Sequence, residues 1–253
     1  THPGLYHGDI YVAFVPDEEC GLFGSKNMDF SKFPVDFAYT IDSCALGEIV
    51  YETFNAGSAT VTIHGVSAHP MSAKGNLVNP TLLACDFINM FDRSETPECT
   101  EGKEGYIWCQ AVESNQSKAV VSLNIRDHSK EKYEEKKRRI AANVEKLKQM
   151  EPRAAITCEM EDTYGNIADA ITDDNHKAID YIFDAFKELQ IQPKPIAMRG
   201  GTDGSFISTK GILTPNYFTG GLNFHSRYEF LPLPSLEKSY EVTMKLIDLI
   251  YKG

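Results

Sequence analysis

No stretch of this chain approaches the ~18 consecutive apolar residues of a membrane-spanning helix, so no span is expected. An excess of positive charge is also missing. The net charge is −11, which argues against nucleic acid or anionic membranes as partners, since both need a basic surface. The one basic cluster, Lys136-Lys137-Arg138-Arg139, stands among Glu131, Glu134 and Glu135 and reads as a solvated helix face. Six cysteines are present, at 20, 44, 85, 99, 109 and 158, and none forms a Cys-x-x-Cys pair, so a thiolate zinc site is not expected. Thr1-His2-Pro3-Gly4 opens no basic region followed by an apolar segment, so no secretory leader is visible. Free thiols and a cytoplasmic location are therefore expected. Internal repeats and low-complexity segments are absent.

What is present is ordinary globular material. The 253 residues are 42% hydrophobic and 24% charged, enough for one or two domains with a core. Residues 8–15 and 35–41 read as strands, each followed by acidic residues. Chemistry at the carboxyl ends of strands is characteristic of open α/β sheets. Residues 21–28 leave room only for a short helix or turn. Residues 49–54 and 60–64 alternate like strands. Asn79-Pro80 opens a helix, with Asn as cap and Pro at the first position, and its apolar face is Leu82, Leu83, Phe87, Ile88 and Phe91. Residues 106–112 and 119–125 are two more strands. A charged helix over 129–150 carries the stripe Tyr133, Ile140, Val144 and Leu147, and a strand over 155–160 closes the unit. This order is a split βαββαβ. After Tyr164 come a helix over 175–189, a glycine-rich loop and a final helix. Ser235 caps that helix, and Leu236, Tyr240, Leu246, Ile247 and Ile250 face inward. The fold class is α/β: a discontinuous α/β domain over 1–53 and 165–253, with an inserted ferredoxin-like lid over 54–164.

Asp17-Glu18-Glu19 carries the most chemical information. Adjacent carboxylates repel one another, and a nearby cation relieves them. One Glu can bind a metal while the other accepts a proton from water. A solvated acidic turn is the plain alternative. Further motifs are Tyr39-Thr40-Ile41-Asp42, Gly65-Val66-Ser67-Ala68-His69-Pro70, Arg199-Gly200-Gly201-Thr202-Asp203-Gly204 and Gly220-Gly221-Leu222-Asn223-Phe224-His225-Ser226-Arg227-Tyr228-Glu229-Phe230. Carboxylate, carboxylate and His from separate strand ends match a zinc site with oxygen and nitrogen ligands.

In this order the segments resemble the peptidase T family of tripeptide aminopeptidases. That family lies within the dizinc metallopeptidase superfamily that also holds acetylornithine deacetylase and succinyl-diaminopimelate desuccinylase. Glu95-Thr96-Pro97-Glu98-Cys99-Thr100-Glu101-Gly102 and Asn124-Ile125-Arg126-Asp127 point to peptidase T rather than its relatives. The resemblance implies Glu18 as general base, Glu19 and His225 as ligands of one zinc, and Asp42 as ligand of a second. It implies that Arg199, with Gly200 and Gly201, grips the substrate carboxylate, a task suited to a bidentate guanidinium. A structural Arg199 paired to Asp203 is the alternative. His69 resembles the lid histidine that enters the partner's active site in dimeric relatives, and Asn115 corresponds to a lid Asn. A turn histidine before a rigid Pro is the plain reading of His69. The implied partners are a short peptide and a second copy bound through the lid.

Two family segments are not found: a His-x-Asp motif and an Asp bridging the metals. His7-Gly8-Asp9 lies too close to Asp17 to be the former. The chain therefore looks N-terminally truncated. By itself it is expected to hold one zinc loosely or none and to be inactive, whereas the intact enzyme would hold two. A deacylase of N-acyl amino acids and a non-catalytic dimerising fragment are the rival readings.

Overall fold

The computed structural model describes residues 6–253. In chain order the elements are α1 (Phe23–Lys26), β1 (Thr40–Ser43), β2 (Glu48–Glu52), β3 (Asn55–His64), α2 (Pro80–Ile88), β4 (Tyr106–Ser114), β5 (Lys118–Asp127), α3 (Lys130–Met150), β6 (Ala155–Tyr164), α4 (Lys177–Glu188), β7 (Lys194–Ala197), α5 (Asp203–Ser208), β8 (Asn216–Phe218) and α6 (Leu233–Lys252). The described residues form two compact units, 54–164 and 6–53 with 165–253.

The unit over 54–164 is a sheet of order β4-β5-β3-β6, antiparallel throughout. Alternation explains it. Ala59, Val61 and Ile63 of β3 and Val121, Leu123 and Ile125 of β5 are buried, while Ser58 and His64 on the opposite face are exposed, as period-2 patterning requires. Leu83, Ala84 and Phe87 of α2 and Tyr133, Ile140, Val144 and Leu147 of α3 complete that core. Both helices start at caps the sequence supplies. The Asn79 side chain accepts from Thr81 N and Leu82 N, and that of Ser129 from Lys132 N. Leu82 is an exception on the α2 stripe, being exposed. Phe87 is fully buried against Phe91 at 5.2 Å, edge to face. Phe87→Ala should therefore cost about 3–5 kcal/mol, read by denaturant unfolding. A loss below ~1 kcal/mol would show that this core does not depend on it.

The basic cluster is not simply a solvated face. Lys136 Nζ lies 2.6 Å from Asp127 Oδ2, and both side chains are largely buried. Lys137 pairs with Glu134 and Asp162, and Arg139 with Glu95. The acids come from β5, β6 and a short turn as well as from α3, so sequence distance concealed them.

The other unit is built on a sheet of order β1-β8-β2-β7. β1 and β8 are parallel, as are β2 and β7, while β2 and β8 are antiparallel. Ile49 and Val50 are adjacent, so they point to opposite faces. Both are fully buried, so both faces of β2 are covered. Ile182, Ala185 and Phe186 of α4 and Val242 and Leu246 of α6 join Ile49, Tyr217 and Phe218 in one core.

Three expectations fail here. Residues 8–15 form no strand. They are irregular, and Phe14 is 94% exposed. Their apolar run has no ladder partner among the described residues, and without one a strand does not form. The strand over 35–41 is instead β1. Pro215, beside Thr40, has no N–H to donate, so regular pairing begins only at Thr40↔Asn216, with Phe37 in an isolated bridge to Leu213. The last helix begins before Ser235, because Pro234 lies in its first turn, where its missing N–H costs nothing. Its buried face is Ser239, Val242 and Leu246, and Leu236, Tyr240 and Ile250 are exposed. Ser239 Oγ donates to Phe218 O at 2.8 Å and so selects the face.

Candidate functional site

Glu18 and Glu19 sit in the turn that leads into α1. Gly21 N and Leu22 N donate to Glu18 O, and Gly24 N donates to Pro16 O. Asp17 (φ 58°) and Leu22 (φ 63°) are left-handed, which winds the turn tightly.

Asp42 lies inside β1 rather than beyond it. The segment that follows is fixed by Glu48, whose Oε2 accepts from Ser43 Oγ, Cys44 N and Ala45 N at 3.1, 2.9 and 3.0 Å. Thr219 N and Gly220 N then donate to Ser43 O and Cys44 O, so the chain leaving β8 runs beside the end of β1. Gly220 has φ 91°, and a Cβ there would lie 2.3 Å from Ser235 Cβ, so no other residue fits. This path delivers the loop over 222–230, closed by paired backbone bonds between Leu222 and Phe230.

His225 stands in that loop at φ 63°. Its Nε2 is 2.9 Å from Glu19 Oε1. Both side chains are well exposed, 75% and 70%, so the pair adds little to stability. Its interest is chemical, because a carboxylate and an imidazole meet across 206 residues of chain.

Charge ties the remaining acids to this pair. Glu18 is pushed up to about 7 from 4.5, first by burial, then by the negative charges of Asp42, Glu19 and Asp203, with His225 opposing. Asp42 rises from 3.8 to about 6, by burial and then by Asp203 and Glu19. Burial raises Asp203 as well, and a hydrogen bond from Ser25 opposes it. Asp203 opens α5, whose cap Thr202 accepts from Gly204 N and donates to Asn216 of β8. It is 8% exposed, and its Oδ1 has no hydrogen-bond partner. Asp203 is the residue that sequence reasoning overlooked. Its signal was its place in the Arg199–Gly204 motif, where it was weighed only as a partner for Arg199.

Arg199, Gly200 and Gly201 are half-buried in the loop between β7 and α5. His69 and Asn115 belong to the unit over 54–164. His69 is exposed and caps a short turn, its Nδ1 accepting from Met71 N. Asn115 Oδ1 accepts from Ser117 N, Ser117 Oγ and Lys118 N, which shapes the turn from β4 to β5.

Among the described residues, no group of three or more His, Cys, Asp or Glu side chains is arranged to hold a metal ion. The donor chemistry at Glu19 and His225 nevertheless fits a divalent cation in part. Two ligand-type atoms converge, and the acids around them ionise reluctantly because they are partly buried and crowd one another.

These shifts give a pH dependence of definite sign. Between pH 4.5 and about 7 the folded chain keeps on Glu18 a proton that the unfolded chain has released. The contribution of Glu18 to stability is therefore greatest below 4.5 and falls as pH rises through that window. Carbon-13 NMR of the Glu18 carboxyl should show a midpoint near 7, and Asp42→Asn should lower it. A midpoint near 4.5 in both forms would mean that the acids do not crowd.

Residues 51–150 match the peptidase dimerisation domain of the M20 peptidases. The chain as a whole is similar in sequence to peptidase T and peptidase T-like proteins. It is 54% identical to a peptidase T-like protein of Rhizobium meliloti over 96% of this chain and 59% of that protein. It is 43% identical to peptidase T of Fusobacterium nucleatum over 98% of this chain and 60% of that protein. The chain thus spans about 60% of the length of these relatives. The fold is shared with the aminopeptidase PepT of Bacillus cereus, with a TM-score of 0.83 and 21% identity over 97% of this chain and 65% of that one. It is also shared with a dinuclear metal binding M20 peptidase of Bacillus subtilis, with a TM-score of 0.69 and 14% identity over 94% and 64%.

Proposed function

We propose that this chain carries much of a cytoplasmic, zinc-dependent aminopeptidase that releases the N-terminal residue of tripeptides and works as a homodimer. The observation that carries the reading is the 2.9 Å approach of Glu19 and His225 beside Glu18, taken with 42–54% identity to peptidase T and peptidase T-like proteins.

Glu19 and His225 would hold one zinc and Asp42 a second. Zinc supplies a Lewis acid that polarises the scissile carbonyl and acidifies water. Glu18 takes the proton from the attacking water and returns it to the leaving amine. A group that titrates near neutrality suits both halves of that task. Arg199 grips the carboxylate end of the peptide, and Gly200 and Gly201 let backbone come close to it. His69 of the lid would enter the active site of a second copy and stabilise the oxyanion there, and Asn115 of the same lid would contact the substrate.

Comparing tripeptides that have a free amino terminus with N-acyl amino acids tests the substrate class. Preference for the acylated substrates would replace the peptidase by a deacylase.

A second statement concerns residues 1–253 by themselves, in which Glu19 and His225 are the donor pair that converges. This chain should bind zinc weakly and hydrolyse nothing, acting as a dimerising fragment. Robust zinc-dependent turnover by this chain alone would contradict that.

A further inference from the structure

The loop that presents His225 is held in a costly shape. Asn223 (φ 59°) and His225 (φ 63°) are both left-handed, a conformation that costs an L-residue roughly 1–2 kcal/mol. Such residues persist only where their surroundings over-determine them. At Asn223 the means are local: Nδ2 donates to Tyr228 O, and Asn223 O accepts from Ser226 N. At His225 the means is a side-chain acceptor. The backbone N–H of His225 donates to Glu229 Oε2 at 3.1 Å. Glu229 is held in turn by its own N–H, which donates to Ser226 O, and by the neighbouring Leu222–Phe230 pairing.

Ligating histidines are usually aimed through the ring, the second nitrogen donating to a carboxylate or carbonyl. Here Nδ1 of His225 makes no hydrogen bond among the described residues. The aim of Nε2 at Glu19 is set by the backbone instead.

We infer that Glu229 is a positioning residue for the candidate metal centre. By accepting the His225 N–H it holds His225 in the left-handed conformation that points Nε2 at Glu19. Glu229 donates no ligand atom. The inference rests on the reading of Glu19 and His225 as a donor pair and adds to it the residue that keeps the pair aligned. Glu229 is exposed, so water competes for the same N–H and the effect is moderate. A net hydrogen bond of about 1 kcal/mol corresponds to roughly fivefold in an equilibrium constant.

The test titrates zinc chloride into the chain and into His225→Ala, Glu229→Ala and Glu229→Gln. Amide NMR shifts of residues 18–21 report binding, and hydrogen exchange reports the His225 amide. Circular dichroism checks that each variant is folded. His225→Ala should weaken zinc binding most. Glu229→Ala should weaken it about fivefold and speed exchange at the His225 amide by a similar factor. Glu229→Gln keeps an acceptor oxygen and should restore most of both.

If His225→Ala weakens binding but Glu229→Ala changes neither readout, the positioning role is wrong and the metal centre stands. Should Glu229→Gln prove as damaging as Glu229→Ala, the charge acts in some way other than through the backbone bond, and the role is again wrong. If His225→Ala leaves zinc affinity unchanged, the donor-pair reading itself fails and takes the inference with it.

Discussion

Glu18→Gln, made in the longest form of the protein that its gene encodes, should lower tripeptide hydrolysis by about 10²–10⁴-fold, the usual contribution of a general base. The amide is close in size and cannot take up a proton. Glu18 lies beside the donor pair and does not touch His225 as Glu19 does, so metal content should be unchanged. The lost activity should not return at any pH, because the group whose pKa stands at about 7 is gone. A variant that keeps more than about a tenth of wild-type turnover would remove Glu18 from the role of base.

Glu19→Gln and His225→Ala should act first on the metal. Glu19→Gln neutralises one of two converging donors and His225→Ala removes the other, so zinc affinity should fall by at least the roughly 10–100-fold that even outer partners of ligands command. Activity would follow occupancy and recover in part at high zinc. In Glu19→Gln the Glu18 carboxyl should also titrate lower, since Glu19 is one of the charges that raises it. Unchanged zinc affinity in both variants would leave the 2.9 Å contact as a surface ion pair of no chemical consequence.

The inserted unit is the part of the molecule that the sequence states most openly. Asn79-Pro80 and Ser129 mark helix starts through short-range bonds, and the spacing of Tyr133, Ile140, Val144 and Leu147 marks a buried face. Such signals are local and survive without knowledge of neighbours. Strand readings depend on neighbours and fared worse. The apolar run in residues 8–15 shows what a sheet would bury, and no pairing strand lies beside them among the described residues. The donor-less Pro215 shortens β1 from across the sheet.

Around the candidate site, Glu18, Glu19, Asp42 and His225 were named from motifs that resemble a known family. Asp203 and Glu229 stood in those same motifs without an assigned part. Only three dimensions show that Asp203 adds its charge to Glu18 and Asp42, or that Glu229 holds the backbone of His225. The left-handed backbone at His225 had only a faint sequence signal, because His is enriched in that conformation yet adopts it rarely.

The central claim is that Glu19 and His225 share one metal ion. Crystals grown with zinc and measured on both sides of the zinc absorption edge test it directly. The account predicts an anomalous peak about 2.0–2.2 Å from a Glu19 carboxylate oxygen and from His225 Nε2, with Glu18 close by and not ligating. A fully occupied zinc held elsewhere, with Glu19 and His225 still paired to each other, would contradict it.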